Sequence, residues 1–146
     1  MKKILLTTII LFTTFSAHAG NGDIGSAEQK ALNVYQRGID AINAKNIEAL
    51  EKANKDLSSI MDDSTPVEKS EIARMASELS GPLFYMKVMK AHQDAASKEV
   101  IVNTNELVQE WNRLASESGD LSPAATDGLL KSKIEIEAIQ SIQKNK

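Results

Sequence analysis

At 146 residues, with 42% hydrophobic side chains and a formal charge of −3, the chain is sized for one domain with a modest core, and its acidic balance disfavours nonspecific binding to nucleic acid or anionic lipid. It contains no cysteine, which excludes disulfides, thiolate chemistry and a lipid-modified cysteine.

Residues 1–19 place Lys2 and Lys3 before a short apolar run and end on Ala17-His18-Ala19, the pattern of a cleaved secretory signal. The run from Ile4 to Phe15 is interrupted by four threonines and falls short of the roughly 20 apolar residues that span a bilayer. The expectation is export to the periplasm or the medium, with no integral membrane anchor. Gly20 to Gly25 reads as a flexible leader, residues 26–143 as a helical domain and residues 144–146 as a frayed tail.

Ser26, with Gln29 three residues on, opens the first expected helix, in which Leu32, Tyr35, Ile39 and Ile42 share one face. Gly38 is its weak point, either a close crossing or a tolerated defect. Asn43 to Asn46 reads as a turn. Ile47, Leu50, Leu57 and Ile60 then form a second stripe, with charged residues mainly outside it. Thr65-Pro66-Val67-Glu68 is the clearest helix start, an N-cap followed by proline at the first position and glutamate at the third. Ile72, Met75, Ala76 and Leu79 give that helix its apolar face, and Ser80-Gly81-Pro82 reads as a stop and restart.

Pro82 to Ser118 reads as one long helix or as two broken near Val102, with Asn103 and Glu106 as a capping pair. Leu107, Val108, Trp111, Leu114 and Ala115 fit one helical face, and Gly119-Asp120 ends it. Ser122-Pro123 starts a last helix carrying Leu129, Leu130, Ile134, Ile136, Ile139 and Ile142. The expected fold is all-α, a compact antiparallel helical bundle of about five or six helices.

Motifs that name a chemistry are missing. There is no GxSxG, GxGxxG or GxxxxGK, and beyond residue 19 His92 is the one histidine, so no catalytic residue, metal ligand set or cofactor is assigned. His92 with Met61 or Met75 is the set a noncovalent haem bundle would need, although a structural histidine is the simpler reading. Asp62 and Asp63 are adjacent on a turn and lack the spaced oxygens of a calcium loop. Glu106 with Glu110, and Glu135 with Glu137, are the carboxylate pairs nearest to acid and base catalysis, but same-helix spacing more simply gives a solvated face.

The richest apolar cluster is Leu83, Phe84, Tyr85, Met86, Val88 and Met89, which covers more of a helix circumference than one buried stripe. Leu83, Phe84, Tyr85, Met86 and Met89 are therefore the candidate protein-binding residues, against the alternative that a central helix packs on several sides. The functional expectation is an exported adaptor, inhibitor or chaperone-like protein whose partner is another periplasmic or extracellular protein, with no nucleic acid partner. The alternatives are a small-ligand or haem-binding bundle and an enzyme built from convergent carboxylates.

Overall fold

The structure, a computed structural model, describes residues 26–97, 100–118 and 122–145. The expected export signal, the leader and the Gly119-Asp120 stop lie outside these residues. Within them are five helices and no strand: α1 (Ser26–Asn43), α2 (Ile47–Asp62), α3 (Pro66–Ala96), α4 (Thr104–Ser118) and α5 (Pro123–Lys144).

Local chemistry explains most of the boundaries. α1 closes in a Schellman motif: the Asn46 N–H bonds the Ala41 carbonyl at 2.9 Å, and the Lys45 N–H bonds the Ile42 carbonyl at 3.0 Å. Lys45 takes the left-handed position, at φ 53°, that glycine usually fills. Asn46 then caps α2, its side-chain oxygen accepting from the Ala49 N–H at 3.0 Å. Thr65 and Glu68 form the expected capping box at the start of α3, with the Thr65 N–H donating to the Glu68 carboxylate at 2.9 Å. Ser122 caps α5, preceding Pro123 at its first turn.

Two hairpins flank the 31-residue α3. α1 and α2 pack on its first part, around a core of Ala31, Val34, Leu50, Leu57, Ile72, Met75 and Leu79. α4 and α5 pack on its later part, around Phe84, Val88, Ala95, Leu114, Leu129, Ile136 and Ile139. Consecutive helices run antiparallel, as Arg37 against Asp56 and Trp111 against Leu129 show. α3 and α5 run the same way, since Gly81 meets Ala125 and Gly128 while His92 meets Glu135 farther along both.

Ser80-Gly81-Pro82 is not a stop: α3 continues through it. Proline inside a helix loses one hydrogen bond and crowds the carbonyl four residues earlier. Here burial outweighs that cost, because Leu79, Gly81, Leu83 and Phe84 are all buried, and ending the helix would break both cores. Gly81 has a packing role: a Cβ there would stand 2.5 Å from the Ala125 Cα. Gly38 likewise marks a close crossing, against the Leu79 methyls.

The break between α3 and α4 falls where the second sequence reading puts it, near Val102. The Gln143 amide holds it, accepting from the Val102 N–H at 2.7 Å and donating to the Val102 carbonyl at 3.1 Å. Leu130 and Ile134 leave the expected stripe and stand 59% and 66% exposed. At 100° per residue they lie across α5 from Ser132 and Ile136, so the helix buries its other side. Among the described residues no helix is long and apolar enough to cross a membrane.

Candidate functional site

The candidate site follows from unequal helix lengths. At 1.5 Å per residue α3 is about 46 Å long, while α1 and α2 extend about 27 and 24 Å, so α3 outruns the first hairpin. The α4–α5 hairpin covers the other side of this overhang. What remains is an open trough of about 760 Å³ between the α1–α2 turn and the second half of α3. Ala44, Ile47 and Ala91 are its apolar lining, and Lys45, Glu48, Glu51, Lys87, Lys90 and Asp94 are its charged one.

The charges are only partly matched. Lys87 pairs with Glu51 across the trough. Lys45, Lys90, Glu48 and Asp94 make no ion pair among the described residues, so the trough offers both signs to a visitor. Lys45 stands at its lip in the left-handed conformation, which costs a non-glycine residue roughly 1–2 kcal/mol. Such strain often accompanies a site.

The structure divides the five candidate binding residues. Leu83 is 8% exposed and belongs to the first core; Phe84 is 4% exposed and belongs to the second. Tyr85, Met86 and Met89 are half-buried on the overhanging part of α3, and Met86 packs partly against the first core. Val88 is fully buried. Tyr85, Met86 and Met89 thus stay half-buried but do not line the trough, whose own residues nothing in the sequence singles out. Asn43 to Asn46 reads as a turn, yet no pattern there announces that its lysine is strained or faces a trough.

The other candidate groups are occupied. The His92 Nδ1 lies 2.5 Å from a Glu135 carboxylate oxygen, a pairing of α3 with α5 that 43 residues of separation hide from a sequence reading. Met75 is buried in the first core, on the side of α3 away from α5, so the structure does not bring it to His92. Met61 also packs against that first core. Glu106 accepts from the Asn103 amide at 2.8 Å, while Glu110 takes the Arg113 guanidinium. That guanidinium holds the Glu110 carboxyl below its ordinary value. Glu135 faces His92 and Glu137 faces solvent, so neither same-helix pair acts together.

Tyr35 illustrates a structural use of charge. Its hydroxyl donates to Glu78, which also takes the Arg74 guanidinium at 2.7 Å, tying α1 to α3. Burial first, and the Glu78 hydrogen bond second, push the Tyr35 hydroxyl well above its usual range, so it stays protonated. Trp111 is half-buried in the second core, where its indole N–H donates to the Leu129 carbonyl at 2.7 Å and Lys133 lies 5.5 Å above its ring. No group of three or more His, Asp or Glu stands ready for a metal ion among the described residues.

Comparison with protein-family models, with curated proteins and with solved structures gave no match for this chain.

Proposed function

We propose that this is an exported protein that acts by binding another exported protein, with a segment of the partner lying in the trough beside α3. The observation that carries the reading is the overhang of α3, which leaves beside the α1–α2 turn an open trough with four unmatched charges. The fitting occupant is an amphipathic segment of mixed charge. Its apolar residues would cover Ala44, Ile47 and Ala91, and its charges would meet Lys45, Lys90, Glu48 and Asp94.

The test is affinity capture from periplasmic and secreted fractions by the chain from Gly20 onward, with a Lys90→Glu and Asp94→Lys double variant of the trough wall as control. Phe84 is unsuitable for the control because it is buried, and a charge there would unfold the second core. The reading expects a stoichiometric partner that the folded double variant loses. Capture that survives in the folded variant, or no stoichiometric partner for the wild type, overturns it.

A further inference from the structure

We propose that α3 hinges at Ser80–Pro82 and that bending there opens and closes the trough. Three neighbouring residues weaken the helix at this one place. Pro82 has no N–H to give the Glu78 carbonyl, and its ring crowds that oxygen. The Ser80 hydroxyl bonds the Ala76 carbonyl at 2.8 Å, a back-bond of the kind that bends helices. Gly81 adds the poorest helix former after proline.

The tertiary arrangement turns this local weakness into a hinge between two bodies. Both hairpins pack on α3, but neither α1 nor α2 touches α4 or α5 among the described residues. The contacts that cross the bend are therefore those of α3 itself with the first hairpin: Leu83 and Met86 on its core, and Lys87 on Glu51. Beyond the hinge, Phe84, Val88 and Ala95 share the second core with Leu129, Ile136 and Ile139, and His92 pairs with Glu135, so α5 travels with that part of α3. Met86 reaches back onto the first core, and its unbranched side chain can slide there as the angle changes.

The trough sits across this joint. One wall, from Ala44 to Glu51, belongs to the first hairpin; the other, from Lys87 to Asp94, lies on α3 beyond Pro82. A bend changes the distance between the walls directly. Lys87 and Glu51 form a strap across it, and because both side chains are nearly half exposed the strap is weak and screened by salt. The hinge stands whether or not the trough binds a partner.

Spin-label distance distributions test it in the isolated protein, which brings no native cysteine to interfere. Lys55→Cys with Glu137→Cys spans the hinge, and Asn105→Cys with Ala124→Cys reports on the second body alone. The hinge-spanning distribution is expected to be about twofold broader than the other, to narrow by about half in Pro82→Ala, which restores the helix, and to broaden in Lys87→Gln. A hinge-spanning distribution as narrow as the internal one, or one whose width Pro82→Ala leaves unchanged, overturns the proposal. So does a width indifferent to Lys87→Gln, because the strap would then hold nothing.

Discussion

Replacing Gly81 with alanine measures how far the second core depends on the close approach of α3 and α5. The new Cβ would stand 2.5 Å from the Ala125 Cα and 2.8 Å from its carbonyl oxygen, both backbone atoms that no rotamer change can move. Ordinary contact would require the helices to separate by about 1 Å, and a gap of that size forfeits a quarter to a half of the attraction between atoms lining it. Phe84, Val88, Leu129 and Ile136 would share that loss. Overpacking of this kind costs roughly 3 kcal/mol at the upper end of its usual range, and alanine's better helix propensity returns about 1 kcal/mol. A net loss of about 2 kcal/mol is expected, a shift of about 1 M in the urea midpoint for a domain of this size. Trp111, bonded to Leu129 inside the second core, reports the transition by fluorescence, with circular dichroism as the parallel probe. Gly128→Ala should cost a similar amount, since its Cβ would meet the Gly81 carbonyl carbon at 2.5 Å. The double variant should cost less than the sum, because helices parted by one methyl already accommodate the other. Gly38→Ala is the contrast: its Cβ meets the end of the Leu79 side chain and no backbone atom, so a smaller change, within about 1 kcal/mol of wild type, is expected. If Gly81→Ala is as stable as wild type, or Gly38→Ala is the more damaging of the two, the reasoning from backbone contact fails.

Three further outcomes follow from local geometry. Lys45→Gly relieves the left-handed strain at the α1–α2 turn and should raise stability by about 1 kcal/mol in urea titration; no gain would mean that the lysine contributes contacts worth as much as the strain. Gln143→Ala removes both hydrogen bonds to Val102 and should cost about 1–2 kcal/mol, with hydrogen exchange at Val102 rising more than in the middle of α5. Thr65 hydrogen bonds hold the Glu68 carboxyl below its ordinary 4.5, so its contribution is complete above that value and is lost as pH falls through the lower folded value. Thermal melts between about pH 7 and about pH 3 should therefore show wild type losing its advantage over Glu68→Gln on acidification, and a difference that stays constant would contradict the assignment.

The legible parts of this fold are those written by neighbours in sequence. The Thr65–Glu68 box, the Ser122-Pro123 start and the apolar stripe of α2 each depend on residues within a few positions, and each appears where the pattern puts it, whereas α1 turns Ala31, Val34 and Ala41 fully inward and leaves the expected Leu32, Tyr35, Ile39 and Ile42 half-buried against the core. Ser80-Gly81-Pro82 is the opposite case. Its residues do weaken a helix, but whether a helix survives them is decided by what two flanking hairpins bury on either side, and that is not local. Leu130 and Ile134 reveal the converse problem, because a helix with apolar residues all round does not say in sequence which face meets its neighbours. The candidate site was legible only as an apolar cluster. Its division between two cores and a half-buried remainder depends on partners distant in sequence, as does the pairing of His92 with Glu135.

Gly81 and Pro82 together explain why one helix can serve two bodies. A regular 31-residue helix would couple the hairpins rigidly, and a true stop would leave each with a three-helix core and a severed connection. Proline weakens the backbone ladder without ending it, while the adjacent glycine lets α5 lock onto the chain just where the ladder is weakest. The two residues oppose each other in effect: one loosens α3 against the first hairpin, the other fixes α3 to the second. Exchanging their consequences by substitution separates them, since Pro82→Ala should stiffen the joint and leave the second core intact, whereas Gly81→Ala should loosen that core and leave the proline's effect on the helix in place. If both substitutions moved stability and distance distributions together, the joint and the crossing would be a single feature, and the trough would owe its shape to packing alone.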